Sequence, residues 1–171
     1  RKLAGRMNDP TYTEAVVNGN KDNGTDIHSV NKRAAELDSR DDAKTFFYGL
    51  IFGAGDAKVG KIVKGTAEDG RRLKSKFFAG LPALGALLEK LTAEWRTTAS
   101  RRYNPTFNKM EYYDGTVTGL DGRPIKVPFE HQILVYLLQS DEAITMAAAY
   151  IRFHSRMDQL GYKWGVDYGT V

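Results

Sequence analysis

A mainly α fold carrying one β-hairpin is what this sequence predicts. Three observations lead there. Residues 40–52 place Ala43, Phe46, Phe47, Leu50 and Ile51 on one helical side, and residues 82–100 do the same with Leu84, Leu87, Leu88 and Leu91. Residues 116–127 instead alternate around Asp121-Gly122, a turn pair of the type I′ class, with Val117 and Thr118 before it and Ile125 and Val127 after it.

The elements follow in order. Residues 1–12 read as a helix end running into Asn8-Asp9-Pro10, and residues 18–25 as a polar loop. Thr25 or Asp26 can cap a short helix over 27–37. Ser39 with Asp42 resembles a capping box, and Gly53 and Gly55 supply the stop and a flexible end. Residues 56–64 form a short basic helix or turn. Residues 66–79 are helical, with Gly70 as a weak point. Pro82 opens the next helix, which runs to about residue 100. The pattern breaks around Asn104-Pro105. Pro124 makes the hairpin's return strand an edge. Residues 130–160 are helical, with a bend expected near Ser140-Asp141 and a stop at Gly161. No repeat, low-complexity tract or clean domain boundary interrupts the chain.

Bulk composition narrows the function classes. The chain has 171 residues, 27% charged and 42% hydrophobic, as ordinary globular domains do. No apolar run reaches the roughly 18 residues of a membrane span, and residues 1–10 lack a secretory apolar core. With no cysteine there is neither a disulfide framework nor a thiolate metal site, which fits a reducing compartment. A net charge of +4 hints only mildly at a polyanionic partner. The start on Arg1 rather than Met, and a loop-like end, lead us to expect an excised or processed segment.

The residues with most chemistry form a row: Arg40, Lys44, Tyr48, Phe52, then Gly53. A spacing of four gives a slowly drifting helical stripe, here spread over roughly 18 Å. Cations suit phosphates, and flat rings suit a sugar or base. The plainer account is an amphipathic helix with a solvated polar face and its aromatics in the core. Two features weigh against that account. Phe46, Phe47, Leu50 and Ile51 already supply a core side, so Tyr48 and Phe52 are surplus. The cations also stand in the first turns, where the helix dipole disfavours them unless an anion joins them. His28, twelve residues before Arg40 and in the first turn of its own helix, reaches the same anion if the two helices pair.

Three other features weigh less. Residues 55–61 look like a phosphate-binding glycine loop, but Ile62 stands where a Ser or Thr would bind magnesium, and the preceding segment is helical where a strand is needed. Lys58, Lys61, Lys64, Arg71, Arg72, Lys74 and Lys76 cluster within nineteen residues, offset locally by Glu68 and Asp69 alone, so contact with a nucleic-acid backbone is one reading and a solvated face the other. Asp41 and Asp42 point to different helix faces, and His131 and His154 lack partners at ligand spacing, so no metal site is expected within the chain.

Arg40-Asp41-Asp42-Ala43-Lys44-Thr45-Phe46-Phe47-Tyr48-Gly49-Leu50-Ile51-Phe52-Gly53-Ala54-Gly55 resembles motif B of family A DNA polymerases, the DNA polymerase I type, and within it the phage replicative branch. Weaker pieces fall in the same order. Asp26-Ile27-His28 is similar to the tripeptide before the motif, Gly119-Leu120-Asp121-Gly122-Arg123 to the family's hairpin, and His131 with Leu137-Leu138-Gln139-Ser140 to the helix after it. Arg1-Lys2-Leu3-Ala4 resembles the tail of motif A.

The resemblance implies a right-hand polymerase fold. Residues of about 25–103 would be a helical fingers subdomain, with palm elements at 1–24 and 104–171, the hairpin among them. It implies that His28, Arg40, Lys44 and Tyr48 bind the incoming dNTP, with Arg40 and Lys44 catalytic and Lys44 the general acid for the leaving pyrophosphate. A Tyr at the Tyr48 position goes with acceptance of dideoxynucleotides. Phe52 and Gly53 would meet the template base and the nascent pair, and His131 and Gln139 the DNA primer-template. Helix closure over a matched nucleotide would be the moving step.

Two departures stand out. Phe52 replaces the family's usual Tyr, losing a hydroxyl, and Val135 replaces an Asn, so one DNA contact is absent or rerouted. The family's carboxylates for Mg2+ would fall just before Arg1 and just after Val171, so the chain alone is expected to be inactive. The implied partners are primer-template, dNTP and the remainder of the polymerase, on the same polypeptide or a separate subunit. No membrane is implied; the setting is the cytoplasm, that of the host if phage-encoded. The alternatives are a non-catalytic basic helical nucleic-acid-binding module and, more weakly, a purely structural subunit.

Overall fold

The computed structural model describes residues 1–167. Among them the helices are α1 (Lys2–Met7), α2 (Pro10–Val17), α3 (Ile27–Ala34), α4 (Arg40–Ile51), α5 (Asp56–Ile62), α6 (Ala67–Gly80) and α7 (Pro82–Thr98). Strands β1 (Ser100–Asn104), β2 (Lys109–Tyr113), β3 (Gly115–Thr118) and β4 (Pro124–Val127) follow. A 3-10 turn at Glu130–Gln132 then leads into the long helix α8 (Ile133–Gln159). The mainly α expectation holds.

Short polar side chains and prolines set the helix starts. Asp9 accepts from the Tyr12 N–H at 3.0 Å and Pro10 opens α2, a second helix where the sequence reading has only a helix end over residues 1–12. Asp26 caps α3, which ends at Ala34, three residues earlier than expected. Ser39 accepts from the Asp41 and Asp42 N–H groups at the start of α4. The reciprocal capping box stands instead at α6, between Thr66 and Asp69.

At the other end of α4, Gly53 has φ +72°. The Gly53 N–H bonds the Leu50 carbonyl at 3.0 Å and the Ala54 N–H bonds the Gly49 carbonyl at 2.8 Å. That is a Schellman stop, which needs a residue without Cβ strain at its left-handed position. Gly70, expected as a weak point, is buried where α6 crosses α5; a side chain there would strike the backbone of Asp56 and Gly60.

The core gathers one face from most helices. Phe46 of α4 meets Phe77 of α6 edge-on, with ring centres 5.0 Å apart. Leu84, Trp95, Ile133 and Leu137 are likewise fully buried, and each such side chain contributes about 1.5–3 kcal/mol by leaving water. The Trp95 indole N–H donates to the Val127 carbonyl at 2.8 Å, tying α7 to β4.

β3 and β4 form the expected hairpin, with Thr118 opposite Pro124. Its turn is not type I′, since only Gly122 has positive φ. The Gly122 N–H reaches the Gly119 carbonyl at 3.2 Å and the Gly119 N–H reaches Arg123 at 2.8 Å, a three-residue loop with glycine in the left-handed place. A second hairpin, β1–β2, occupies the stretch where the pattern breaks, with Arg102 opposite Glu111 and Tyr103 opposite Met110.

α8 runs through Ser140-Asp141 as one continuous helix. Asp141 is buried at its middle and accepts from Arg6 of α1 at 2.5 and 2.6 Å. That pairing makes a buried carboxylate tolerable there. Beyond it, Met146, Tyr150, Ile151 and Phe153 are exposed. Gly161, with φ +82°, ends the helix. Among the described residues no helix is long and apolar enough to cross a membrane.

Candidate functional site

α4 divides its residues between two faces. Ala43, Phe46 and Phe47 are buried, while Lys44 is exposed and Tyr48 and Phe52 keep 48% and 64% of their surfaces in solvent. For aromatic side chains on a helix with a complete core face, that exposure is the unusual feature.

α3 packs against the first turns of α4 and brings three of the sequence-selected residues together with a fourth group. The Arg40 Nη2–H donates to Asp26 Oδ2 at 2.7 Å and its Nε–H to Oδ1 at 3.2 Å. Asp26 also accepts from the His28 backbone N–H at 3.1 Å and from the Ser29 hydroxyl at 2.5 Å. The Arg40 bonds hold the Asp26 carboxyl well below the usual carboxylate range, aided by Ser29 and His28 and opposed by burial. The His28 ring lies 6.0 Å from the Tyr48 ring, centre to centre. Burial pushes the imidazole below its ordinary value, and the nearby Arg40 and Lys44 charges add to this. His28 Nδ1 is buried with no hydrogen-bond partner.

His28 and Tyr48 form one wall of a cleft of about 460 Å3 whose other walls include Arg1 and Lys2 of the N-terminus and Glu142 and Met146 of α8. Arg40 and Lys44 are not among its lining residues, so the stripe has two parts: a cationic corner outside the cleft and a ring at its edge.

The far end of the stripe meets different elements. A side chain at Gly53 would strike the His131 backbone oxygen and ring, so the two residues are in direct contact. That contact and the Schellman stop set the path of the chain at Gly53. His131 stacks on Phe129, with ring centres 5.7 Å apart and planes at 16°. Gln139 is exposed on α8, next to Leu138, whose side chain packs on the core.

The basic cluster is less free than its composition suggests. Arg71 pairs with Glu68 at 2.9 Å and Asp56 at 3.5 Å, Arg72 with Asp69 at 2.6 Å and Lys74 with Asp56 at 2.9 Å; Lys76 pairs with Glu36. Lys74 also donates to the Ala54 carbonyl at 2.7 Å, bracing the segment after α4. Glu36 and Asp56 come from outside the run, and counting only Glu68 and Asp69 missed them. Lys58, Lys61 and Lys64 remain exposed.

Among the described residues no group of three or more His, Asp or Glu side chains is gathered as a metal would need. Asp41, beside Arg40, is 93% exposed. Sequence reasoning did not assign Asp26 a role in the site; its signals were its place as a helix cap and in the Asp26-Ile27-His28 tripeptide.

No protein-family model matches the chain. It is 36% identical over 162 residues to the DNA-directed DNA polymerase of Enterobacteria phage T3 and, to the same degree, to that of Escherichia phage T7. A third relative, the DNA-directed DNA polymerase of Escherichia phage Phieco32, is 35% identical over 131 residues, covering 72% of this chain and 19% of the relative. Along 95% of its own length, the chain is thus similar to a stretch that makes up 22% of the phage T3 and T7 DNA-directed DNA polymerases.

Proposed function

We propose that this chain is the nucleotide-binding fingers part of a template-directed DNA polymerase of family A, working in DNA replication within a larger enzyme. The observation that carries the reading is the α4 stripe, two cations followed by two exposed rings, with the His28 ring 6.0 Å from that of Tyr48. Similarity to phage DNA polymerases supports it.

In this reading Arg40, Lys44 and His28 take the triphosphate of the incoming dNTP. Lys44 hands a proton to the leaving pyrophosphate, a transfer that favours the forward step by neutralising developing charge. Tyr48 packs on the sugar and base. Phe52 and Gly53 meet the nascent pair, and His131, in contact with Gly53, touches the primer-template together with Gln139. Mg2+ is held by carboxylates outside the chain, which on its own would be inactive. The remainder of the polymerase is the required partner, and the exposed side chains of α8 beyond Asp141 are the apolar surface available to it. If the enzyme is phage-encoded, it works in the host cytoplasm.

The test is Lys44→Ala in the complete polymerase, with single-nucleotide incorporation and primer-template affinity measured side by side. The reading expects incorporation to collapse and DNA affinity to hold. Equal losses in both count against the general-acid role. A basic nucleic-acid-binding module remains the second reading, favoured only by the exposed Lys58, Lys61 and Lys64. Such a module would ignore free dNTP, whereas fingers would bind it in a way that depends on Arg40 and Lys44.

A further inference from the structure

We propose that Asp26 is a positioning residue that presets the Arg40 guanidinium for the substrate's phosphates; this rests on the nucleotide-binding reading above. The carboxylate is fixed before Arg40 meets it. Its own helix supplies two donors, the His28 N–H at 3.1 Å and the Ser29 hydroxyl at 2.5 Å. The side chain is only 12% exposed. Onto this immobile group Arg40 docks two donors, Nη2 at 2.7 Å and Nε at 3.2 Å.

The geometry divides the guanidinium between two duties. A planar guanidinium has five N–H donors in a rigid fork. Nε–H and one Nη2–H are committed to Asp26, which fixes the plane of the group. The two Nη1–H bonds and the second Nη2–H are not used by Asp26; Nη1 lies 4.0 Å from Asp41 Oδ1, and the side chain keeps 28% of its surface exposed. A long cation that must find its own rotamer on binding loses entropy at that moment; one already held does not. The carboxylate also offsets the cost of a cation in the first turn of α4. Because Asp26 is at once the cap of α3 and the partner of α4, one side chain sets the position of His28 relative to Arg40.

The experiment uses the complete polymerase carrying this segment. Asp26→Asn keeps an oxygen that can cap α3 and accept from Ser29, but removes the charge that holds Arg40. The expected result is a KM for dNTP raised about tenfold, the scale of one charge-assisted hydrogen bond, with primer-template Kd unchanged. In an Arg40→Ala background, Asp26→Asn should add nothing, because its effect passes through Arg40. Asp26→Ser, which also retains a capping oxygen, should reproduce the result and guards against a folding defect peculiar to Asn.

An unchanged or lowered KM for dNTP in both variants overturns the proposal, the lowered value marking Asp26 as a competitor of the phosphate. A loss of the same size in the Arg40→Ala background also overturns it, since that loss would be structural. If Arg40→Ala raises KM while the Asp26 variants do not, the nucleotide-binding reading stands and only the positioning role falls. If Arg40→Ala itself leaves KM unchanged, both fall.

Discussion

The corner where α3 meets α4 and the second half of α8 both face solvent, but they are built differently. At the corner Arg40 is held by Asp26, and Asp26 by its own helix. Along α8 beyond Asp141, Met146 and Ile151 are 63% and 69% exposed, with side chains that elsewhere in the molecule make core. A held polar group presents itself to a ligand. An uncovered apolar stripe lowers its free energy by being covered. The two exposures therefore carry different information, the first about chemistry and the second about missing neighbours.

The strongest way to break this contrast is at Lys44. In the complete polymerase, Lys44→Ala should lower the rate of nucleotide incorporation by about 100-fold or more, the range of general acid catalysis, with primer-template affinity little changed. A smaller effect confined to DNA affinity would make the corner an ordinary basic surface.

Next is the buried side of the same helix. Phe46→Ala should cost about 3–5 kcal/mol of stability in denaturant unfolding, since the ring is fully buried against Phe77. Asp141→Ala should cost about 3–5 kcal/mol, because it leaves the Arg6 charge unpaired where the two helices meet. A loss well under that range would mean that water reaches Arg6 freely.

Acid should loosen the corner in two stages. Both His28 and Asp26 have folded values below their ordinary ones. Each contribution is present above the unfolded pKa and is lost as pH falls through the folded value. The His28 contribution should fade below about pH 6.5 and that of Asp26 below about pH 4. The stability gap between the wild-type chain and Asp26→Asn should therefore close as the pH drops below about 4. A gap that widens in acid would contradict the assigned direction.

The smallest effect is expected on α8. Ile151→Ser in this 171-residue chain should change stability by no more than about 0.5 kcal/mol, as exposed positions do. A large loss there would show the stripe to be covered already and would erase the contrast.

How much of this could be read from sequence differs by element. α4 and α7 were legible because a repeating apolar face and a starting Ser or Pro act within one turn. The β1–β2 hairpin was not. Most of its side chains face solvent, so it carries no two-residue alternation, and its turn uses Asn108 at φ 47° rather than a glycine. At the site, the stripe and His28 follow from spacing alone. The Asp26–Arg40 bonds, the contact of Gly53 with His131 and the pairing of Lys74 with Asp56 depend on how helices cross, which no local pattern encodes. The same reason made the basic run look freer than it is.

Trp95, sealed against Val127, has a consequence for observing this molecule in solution. The chain has two tryptophans, and the other, Trp164, is 48% exposed beyond the end of α8. Their indoles should emit at different wavelengths, blue-shifted for Trp95 and red-shifted for Trp164. Replacing Trp164 with Phe would leave one indole, at the seam between α7 and the β3–β4 hairpin. Replacing Trp95 would cost core packing, whereas Trp164 lies against His154 and Tyr150 outside the core, so its removal isolates the indole signal from the interior.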